Sequence, residues 1–478
     1  MAAEFSDTCS WIDEDIKKKF REREATFKYL TGNRGNPGKG ITPIIMEFAD
    51  GTKEQRGMRL SLNGAPPAAG DLNIIFCTHH NETAILDGIK LVLEAFRKNP
   101  EAFRGKGVNI LLGGQKERCE AFFRRVREDT QGFISAEELE SFRNTTQNVN
   151  CNRVPKARIE TPDSTPGSLG WLQQIHDFYD RSFYGKADEN GKDLTITFDG
   201  HTTSNPSGVL AVFYGRTLEQ GKQFKELAAY TGAEGVFCEA TDDLPTWYMC
   251  ESATPAANKL PFLYESKKHM DLDAGLAAER GIAGLFSSLG ITIPSKVAQP
   301  SAQTLTFYRD TSLLYTPASP NARLNPPGVV PAMEKPGQWH GDVQLINSMN
   351  DVPEDVREYF KARGVAIKPP ENGLKNGADV RKGDHIAWTR YRTDDGEIIP
   401  VLLTSPKDGV SFMAPQKSLI PRAFPDSIVE IQERDQTFTI PLPDGVKVED
   451  PARKPQPAIL ERKEHERIKR GDPGMMRI

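Results

Sequence analysis

Between about residue 40 and residue 290, short apolar runs of strand length alternate with longer stretches of helical periodicity. This alternation limits the fold more than any other feature of the chain. Residues 72–77 (LNIIFC) form a buried-strand run, and residues 82–97 follow with Ile85, Ile89, Leu91, Val92 and Phe96 in a helical stripe. Further strands are predicted at 108–112, 194–198, 209–213 and 262–265. Helices are predicted at 117–129, 169–183, 218–230 and 272–289. Strands that alternate with helices predict an α/β fold, with a mainly parallel (mixed) sheet flanked by helices.

After residue 300 the pattern changes. Short β-rich runs at 385–391, 398–403, 411–414, 428–432 and 437–441 are separated by turn signals such as Asp394-Asp395-Gly396, with a helix inserted at 353–363. The expected organisation is an N-terminal helical segment (1–30), a catalytic domain (31–300), a smaller all-β domain (301–447) and a charged tail (448–478). The proline-rich segment 316–340 reads as an irregular connection.

A formal net charge of −5 gives no reason to expect nucleic acid or a membrane surface as partner. No apolar stretch is long enough for a membrane-spanning helix. The six cysteines lack CxxC pairing and the first residues lack a signal pattern, so a cytoplasmic location is expected; a homo-oligomer is compatible with the sequence. The glycine-rich run 32–40 fails the spacing of a phosphate loop, and Ser204-Asn205-Pro206-Ser207-Gly208 is not a nucleophile elbow. The pairs Asp242-Asp243 and Asp394-Asp395 read as turns.

Two segments carry metal-binding residue types. Thr78-His79-His80-Asn81-Glu82-Thr83 follows the 72–77 strand, and Asp199-Gly200-His201 follows the 194–198 strand. Crevices of open α/β sheets form at the carboxyl ends of strands. Two imidazoles and a carboxylate, from His79, Glu82 and His201, would hold zinc and leave a fourth position for water. The same residues also read as hydrogen-bonded structural histidines beside a helix N-terminal acid. Asn152-Arg153 suits a substrate carboxylate, through an amide and a planar fork. Glu265, at the end of another strand, could take a proton from the water.

The order His79-x-x-Glu82, Asn152-Arg153, His201, Glu265 resembles the zinc carboxypeptidase clan. THHNETA, NCNRV, TFDGHTT and FLYES are similar, more narrowly, to segments of the succinylglutamate desuccinylase/aspartoacylase family, which also ends in a small β domain. The resemblance implies a zinc-carboxypeptidase-like fold, one zinc per chain on His79, Glu82 and His201, a substrate carboxylate on Asn152 and Arg153, and Glu265 as general base and acid. Asp199 is an expected outer partner of a ligand histidine. His80 stands where the family has a small residue and is expected not to bind the metal but to support a ligand from outside or to line the pocket beside it. Asn150 replaces an aspartate. The family's oxyanion arginine has only Arg143, offset, as counterpart.

The expected function is zinc-dependent hydrolysis of an amide in a small carboxylate-bearing molecule such as an N-acyl amino acid. A carboxypeptidase acting on short peptides and a catalytically silent zinc-binding protein remain as alternatives.

Overall fold

The structure, a computed structural model, describes residues 9–32, 37–184, 194–203, 209–213, 218–238, 246–253, 256, 258–294, 302–314, 329–330, 337–374, 379–405, 408–412 and 429–441. Among the described residues, eight strands make the helix-flanked part of a mixed sheet: β1 (Ile41–Glu47), β2 (Lys53–Leu60), β3 (Leu72–Phe76), β4 (Val108–Leu112), β5 (Thr195–Thr203), β6 (Val209–Phe213), β7 (Gly235–Cys238) and β8 (Lys259–Lys268). Their order is β7-β6-β8-β5-β3-β4-β2-β1. The central pairs β8–β5, β5–β3 and β3–β4 are parallel, as is β6–β7. The pairs β6–β8, β4–β2 and β2–β1 are antiparallel.

The flanking helices are α1 (Glu14–Gly32), α2 (Ile85–Lys98), α3 (Lys116–Arg127), α4 (Ala136–Ser141), α5 (Leu169–Tyr179), α6 (Leu218–Tyr230) and α7 (Leu272–Ser288). Apolar faces of α1, α2, α3 and α7 share one core with the strands, in which Phe27, Phe76, Ile89, Phe122, Phe198 and Phe286 are all buried. Every residue of β3 and β5 is buried, as central strands covered on both faces require. The helix of the N-terminal segment starts at Glu14, because Cys9–Trp11, within the stretch expected to be helical, pairs as a short strand with Phe133–Ser135. The helix expected over 169–183 stops at Tyr179 and passes into a π-helical turn, Asp180–Tyr184.

One close approach sets the geometry of the site. A Cβ on Gly200 would lie 2.4 Å from Ile85 Cγ1, so the start of α2 rests directly on β5. Only a residue without a side chain allows this, and the contact brings the segment before α2 against the end of β5.

The chain divides into two compact units, one comprising Cys9–Ser204, Val209–Phe307 and Gln436–Ile478, the other Met1–Thr8, Asn205–Gly208 and Tyr308–Asp435. Within the latter, β9 (Val329–Val330), β10 (Gly337–Leu345), β11 (His385–Thr393) and β12 (Ile398–Thr404) make a four-stranded antiparallel sheet in the order β9-β12-β11-β10. The inserted helix α8 (Glu354–Lys361) buries Val356 and Phe360 against Ile346, Trp388 and Leu402. Residues 337–340, expected to be irregular, belong to β10, and Val429–Pro441 is one strand where two runs are read in the sequence. The remainder of the proline-rich segment apart from β9, the Ser204–Gly208 stretch, Asp242-Asp243 and the charged tail lie outside the described residues.

Candidate active site

Glu82 is the centre of a buried polar cluster. After β3, Cys77 takes φ +50° and the chain turns, with the Glu82 N–H donating to the His79 carbonyl at 3.1 Å. This turn places the Glu82 carboxylate between two imidazoles. His79 Nδ1 is 2.9 Å from Oε1, and His201 Nδ1 is 2.6 Å from Oε2, which also accepts the Thr202 N–H at 3.2 Å. His201 lies inside β5, not after it, because the strand continues to Thr203. One ligand atom from each of His79, Glu82 and His201 lies within 4.8 Å of the others, so this buried group could hold a metal ion.

The protonation pattern supports that fit. Asn150 Oδ1 accepts the Asn152 N–H at 2.8 Å, which identifies it as the amide oxygen, and it lies 3.0 Å from His79 Nε2. His79 Nε2 must therefore carry the hydrogen. Burial, with the Arg143 charge, pushes His79 down to about 4, so its ring is neutral near pH 7 and its Nδ1 is a bare lone pair. That lone pair faces a carboxylate oxygen, an arrangement that calls for a cation between them. A metal-binding histidine usually donates the hydrogen of its other ring nitrogen to an oxygen, as Nε2–H does here to Asn150.

His201 shows the complementary state. Burial pulls it down, but the charges of Asp199 and Glu82 outweigh burial and raise it well above its ordinary value. Burial likewise opposes ionisation of Glu82, yet the two imidazoles hold its carboxyl well below the usual range. A proton on His201 thus does part of what a metal cation would do. Asp199 Oδ2 is 3.1 Å from His201 Nε2, although neither atom makes an aligned hydrogen bond among the described residues; Asp199 Oδ1 accepts from Thr78 Oγ1 at 2.8 Å.

Glu265 is in register with His201 across the parallel β8–β5 pair. Its Oε2 is shielded from solvent and has no hydrogen-bond partner among the described residues. Burial, reinforced by Glu82 and Asp199 and opposed by His201 and Arg143, pushes the Glu265 carboxyl up to about 7. Carboxylates in this range exchange protons readily near neutral pH. Arg143 reaches the same cluster, its Nη1 3.6 Å from Glu82 Oε1; its shielded Nε lies 3.8 Å from Glu140 Oε1 and makes no hydrogen bond among the described residues.

The remaining sequence candidates sit further out. Both ring nitrogens of His80 are engaged by the protein: Nδ1 donates to the Phe142 carbonyl at 2.9 Å and Nε2 accepts the Gln115 N–H at 2.8 Å. It therefore holds the backbone next to Arg143 and does not turn a ring nitrogen to the metal group. Asn152 Oδ1 accepts the Met249 N–H at 2.8 Å. The Arg153 guanidinium lies over the Tyr248 ring, 4.3 Å from its centroid, and donates to the Asn152 carbonyl at 2.7 Å. Among the described residues, no hydrogen bond or ion pair joins the Asn152 side chain or Arg153 to the His–Glu–His group.

One member of the cluster was not visible in the sequence. His269 is buried, its Nε2 3.9 Å from Glu82 Oε1 and its Nδ1 2.5 Å from Thr202 Oγ1, and burial pushes it down to about 3. The chain returns to the site because β8 bulges between Glu265 and Lys268, with Lys267 at φ +77° and Met270 at φ +62°. No spacing rule announces such a reversal.

No protein-family model and no curated protein matches the chain. Many of its structural neighbours are succinylglutamate desuccinylase/aspartoacylase family proteins at low sequence identity. A succinylglutamate desuccinylase/aspartoacylase from Rhodobacter sphaeroides is 13% identical, with 85% of this chain and 100% of that chain covered, at a TM-score of 0.46. A succinylglutamate desuccinylase from Vibrio parahaemolyticus is 10% identical, with 86% and 94% covered, at 0.44. An ectoine utilization protein from Ruegeria pomeroyi is 13% identical, with 84% and 98% covered, at 0.45.

Proposed function

We propose that the chain is a zinc-dependent amidohydrolase that cleaves the amide of a small carboxylate-bearing substrate such as an N-acyl amino acid. The observation that carries the proposal is a buried His–Glu–His group adjoining a carboxyl poised near neutrality. Two imidazoles and a carboxylate are a zinc donor set, with His79 Nδ1, His201 Nδ1 and Glu82 as the holding atoms. When bound, zinc supplies Lewis acidity and a water of lowered pKa.

The chain's own residues have separable tasks. Glu265 takes a proton from the attacking water and later passes it to the leaving amine; a pKa near 7 suits both directions. Arg143, whose guanidinium reaches the His–Glu–His group and whose Nε has no hydrogen bond among the described residues, stabilises the negative charge that develops on the carbonyl oxygen. Asp199 orients His201 from behind, and Asn150 does so for His79. Arg153 binds the substrate carboxylate, its guanidinium supported on Tyr248.

The test is hydrolysis of a panel of N-acyl amino acids and dipeptides by the zinc-loaded protein and by its Glu265→Gln variant. Turnover of N-acyl amino acids, with zinc retained and turnover lost in the variant, is expected. Cleavage of dipeptides alone would select a carboxypeptidase, and absence of hydrolysis across the panel would favour a silent zinc-binding protein. Retained activity in the variant would remove Glu265 from the mechanism.

A further inference from the structure

The stretch that joins α3 to α4 takes no direct part in the chemistry proposed above, yet its sequence follows a recognisable cation loop. It reads Arg127-Glu128-Asp129-Thr130-Gln131-Gly132-Phe133-Ile134-Ser135-Ala136-Glu137-Glu138. Calcium loops between two helices take oxygen ligands from the third position, the seventh backbone carbonyl and a bidentate glutamate at the twelfth, with glycine at the sixth for a sharp turn. Asp129, Phe133, Glu138 and Gly132 stand at those positions, and Gly132 has φ +80°. The departures are Arg127 at the first position, where calcium loops have a carboxylate, and Gln131 at the fifth.

The ligand set is nevertheless gathered around a positive charge. Arg125, in the last turn of α3, donates from Nη1 to Asp129 Oδ1 at 2.7 Å. Its Nε and Nη2 grip the two oxygens of Glu138 at 2.5 and 3.0 Å, and Nη2 reaches the Phe133 carbonyl at 3.2 Å. These are the third, twelfth and seventh positions, with the twelfth held through both oxygens. Arg127 is turned instead onto Glu24, at 2.6 and 2.8 Å.

We infer that Arg125 is a built-in cation: its guanidinium occupies the place of calcium in a calcium-type loop and closes α3 onto α4 without metal. The consequence for the site follows from chain connectivity, because α4 leads through Phe142 directly to Arg143. Arg118 donates to the Ser141 carbonyl at 2.6 Å and His80 to that of Phe142, so the loop fixes one end of a short arm whose other end is already clamped. Arg125 is thus a positioning residue for Arg143; this second step rests on the hydrolase reading, whereas replacement of the cation does not.

The test compares the full-length protein with Arg125→Ala, both desalted and at equal zinc, by thermal unfolding and titration calorimetry with calcium chloride. The wild type is expected to ignore calcium. The variant is expected to lose about 2–6 °C of Tm, to bind calcium at roughly millimolar concentration, and to recover its Tm when calcium binds. Adding Glu138→Gln to the variant should remove the calcium response. Should Arg125→Ala not fold, Arg125→Gln, which keeps an amide donor toward Asp129, takes its place with the same expectations. An equal response of wild type and variant to calcium, whether present or absent in both, overturns the inference. For the positioning step, the variant's kcat on a substrate identified as above should fall while KM changes little, and calcium should restore kcat. Recovery of Tm without recovery of kcat would overturn the positioning role and leave the built-in cation standing.

Discussion

Asn150 Oδ1 lies 3.0 Å from His79 Nε2, and because the same oxygen accepts the Asn152 N–H, it dictates which nitrogen of the imidazole carries hydrogen. A neutral amide thus sets the tautomer of a metal-type histidine. Asn150→Ala is expected to weaken zinc binding by about 10- to 100-fold, measured by competition with a chromogenic chelator. An unchanged affinity would mean that the tautomer is set elsewhere.

Metal uptake should release protons in a predictable number. His79 and Glu82 are already deprotonated near pH 7, whereas His201 is protonated in the metal-free protein. Zinc binding is therefore expected to release about one proton from the ligand set, read from the dependence of calorimetric heats on buffer ionisation. A release near zero would contradict the raised state of His201.

The same group predicts how stability depends on pH. A folded-state value above the unfolded one near 6.5 contributes stability that is fully present below that pH and lost as pH rises through the raised value. The metal-free protein should lose Tm as pH increases from about 6.5 into the alkaline range. Zinc, by taking the proton's place, should flatten that slope. Equal slopes with and without zinc would count against the pairing.

His80→Ala removes both partners of buried backbone groups, the Gln115 N–H and the Phe142 carbonyl, and leaves a cavity. A loss of about 2–4 kcal/mol in unfolding free energy is expected, with zinc stoichiometry unchanged. A variant of normal stability that no longer binds zinc would show that His80 is a ligand after all.

Gly200→Ala would place a methyl group 2.4 Å from Ile85 Cγ1. Overpacking of this kind costs about 1–3 kcal/mol. Because the contact also sets how far Glu82 reaches toward His201, zinc affinity should fall together with Tm. A loss of Tm at unchanged affinity would separate the two.

Much of this was legible in the chain. His79, Glu82 and His201 stood out because each follows an apolar run in the sequence, although for His201 the strand continues past it to Thr203. The expected sheet is present, but periodicity did not reveal that β6 crosses to the far side of β8 and runs antiparallel to it, since pairing partners are a long-range property. His269 was missed because a bulge and two positive φ angles carry it back, none of which its neighbours in sequence signal. Arg143 looked offset when counted along the chain. Its placement depends on α4 and on two clamps, from Arg118 and His80, that only the folded chain assembles.

The register of Glu265 with His201 has one more consequence. Neighbouring strands are separated by about 4.8 Å, a spacing set by backbone hydrogen bonds and insensitive to side-chain identity. The proposed proton-transfer group and a proposed metal ligand are therefore mounted at the same level of two neighbouring strands. Loops around the crevice can lengthen, shorten or exchange residues to admit a different substrate without altering that interval. Selectivity can drift while the reactive distance stays calibrated by the sheet.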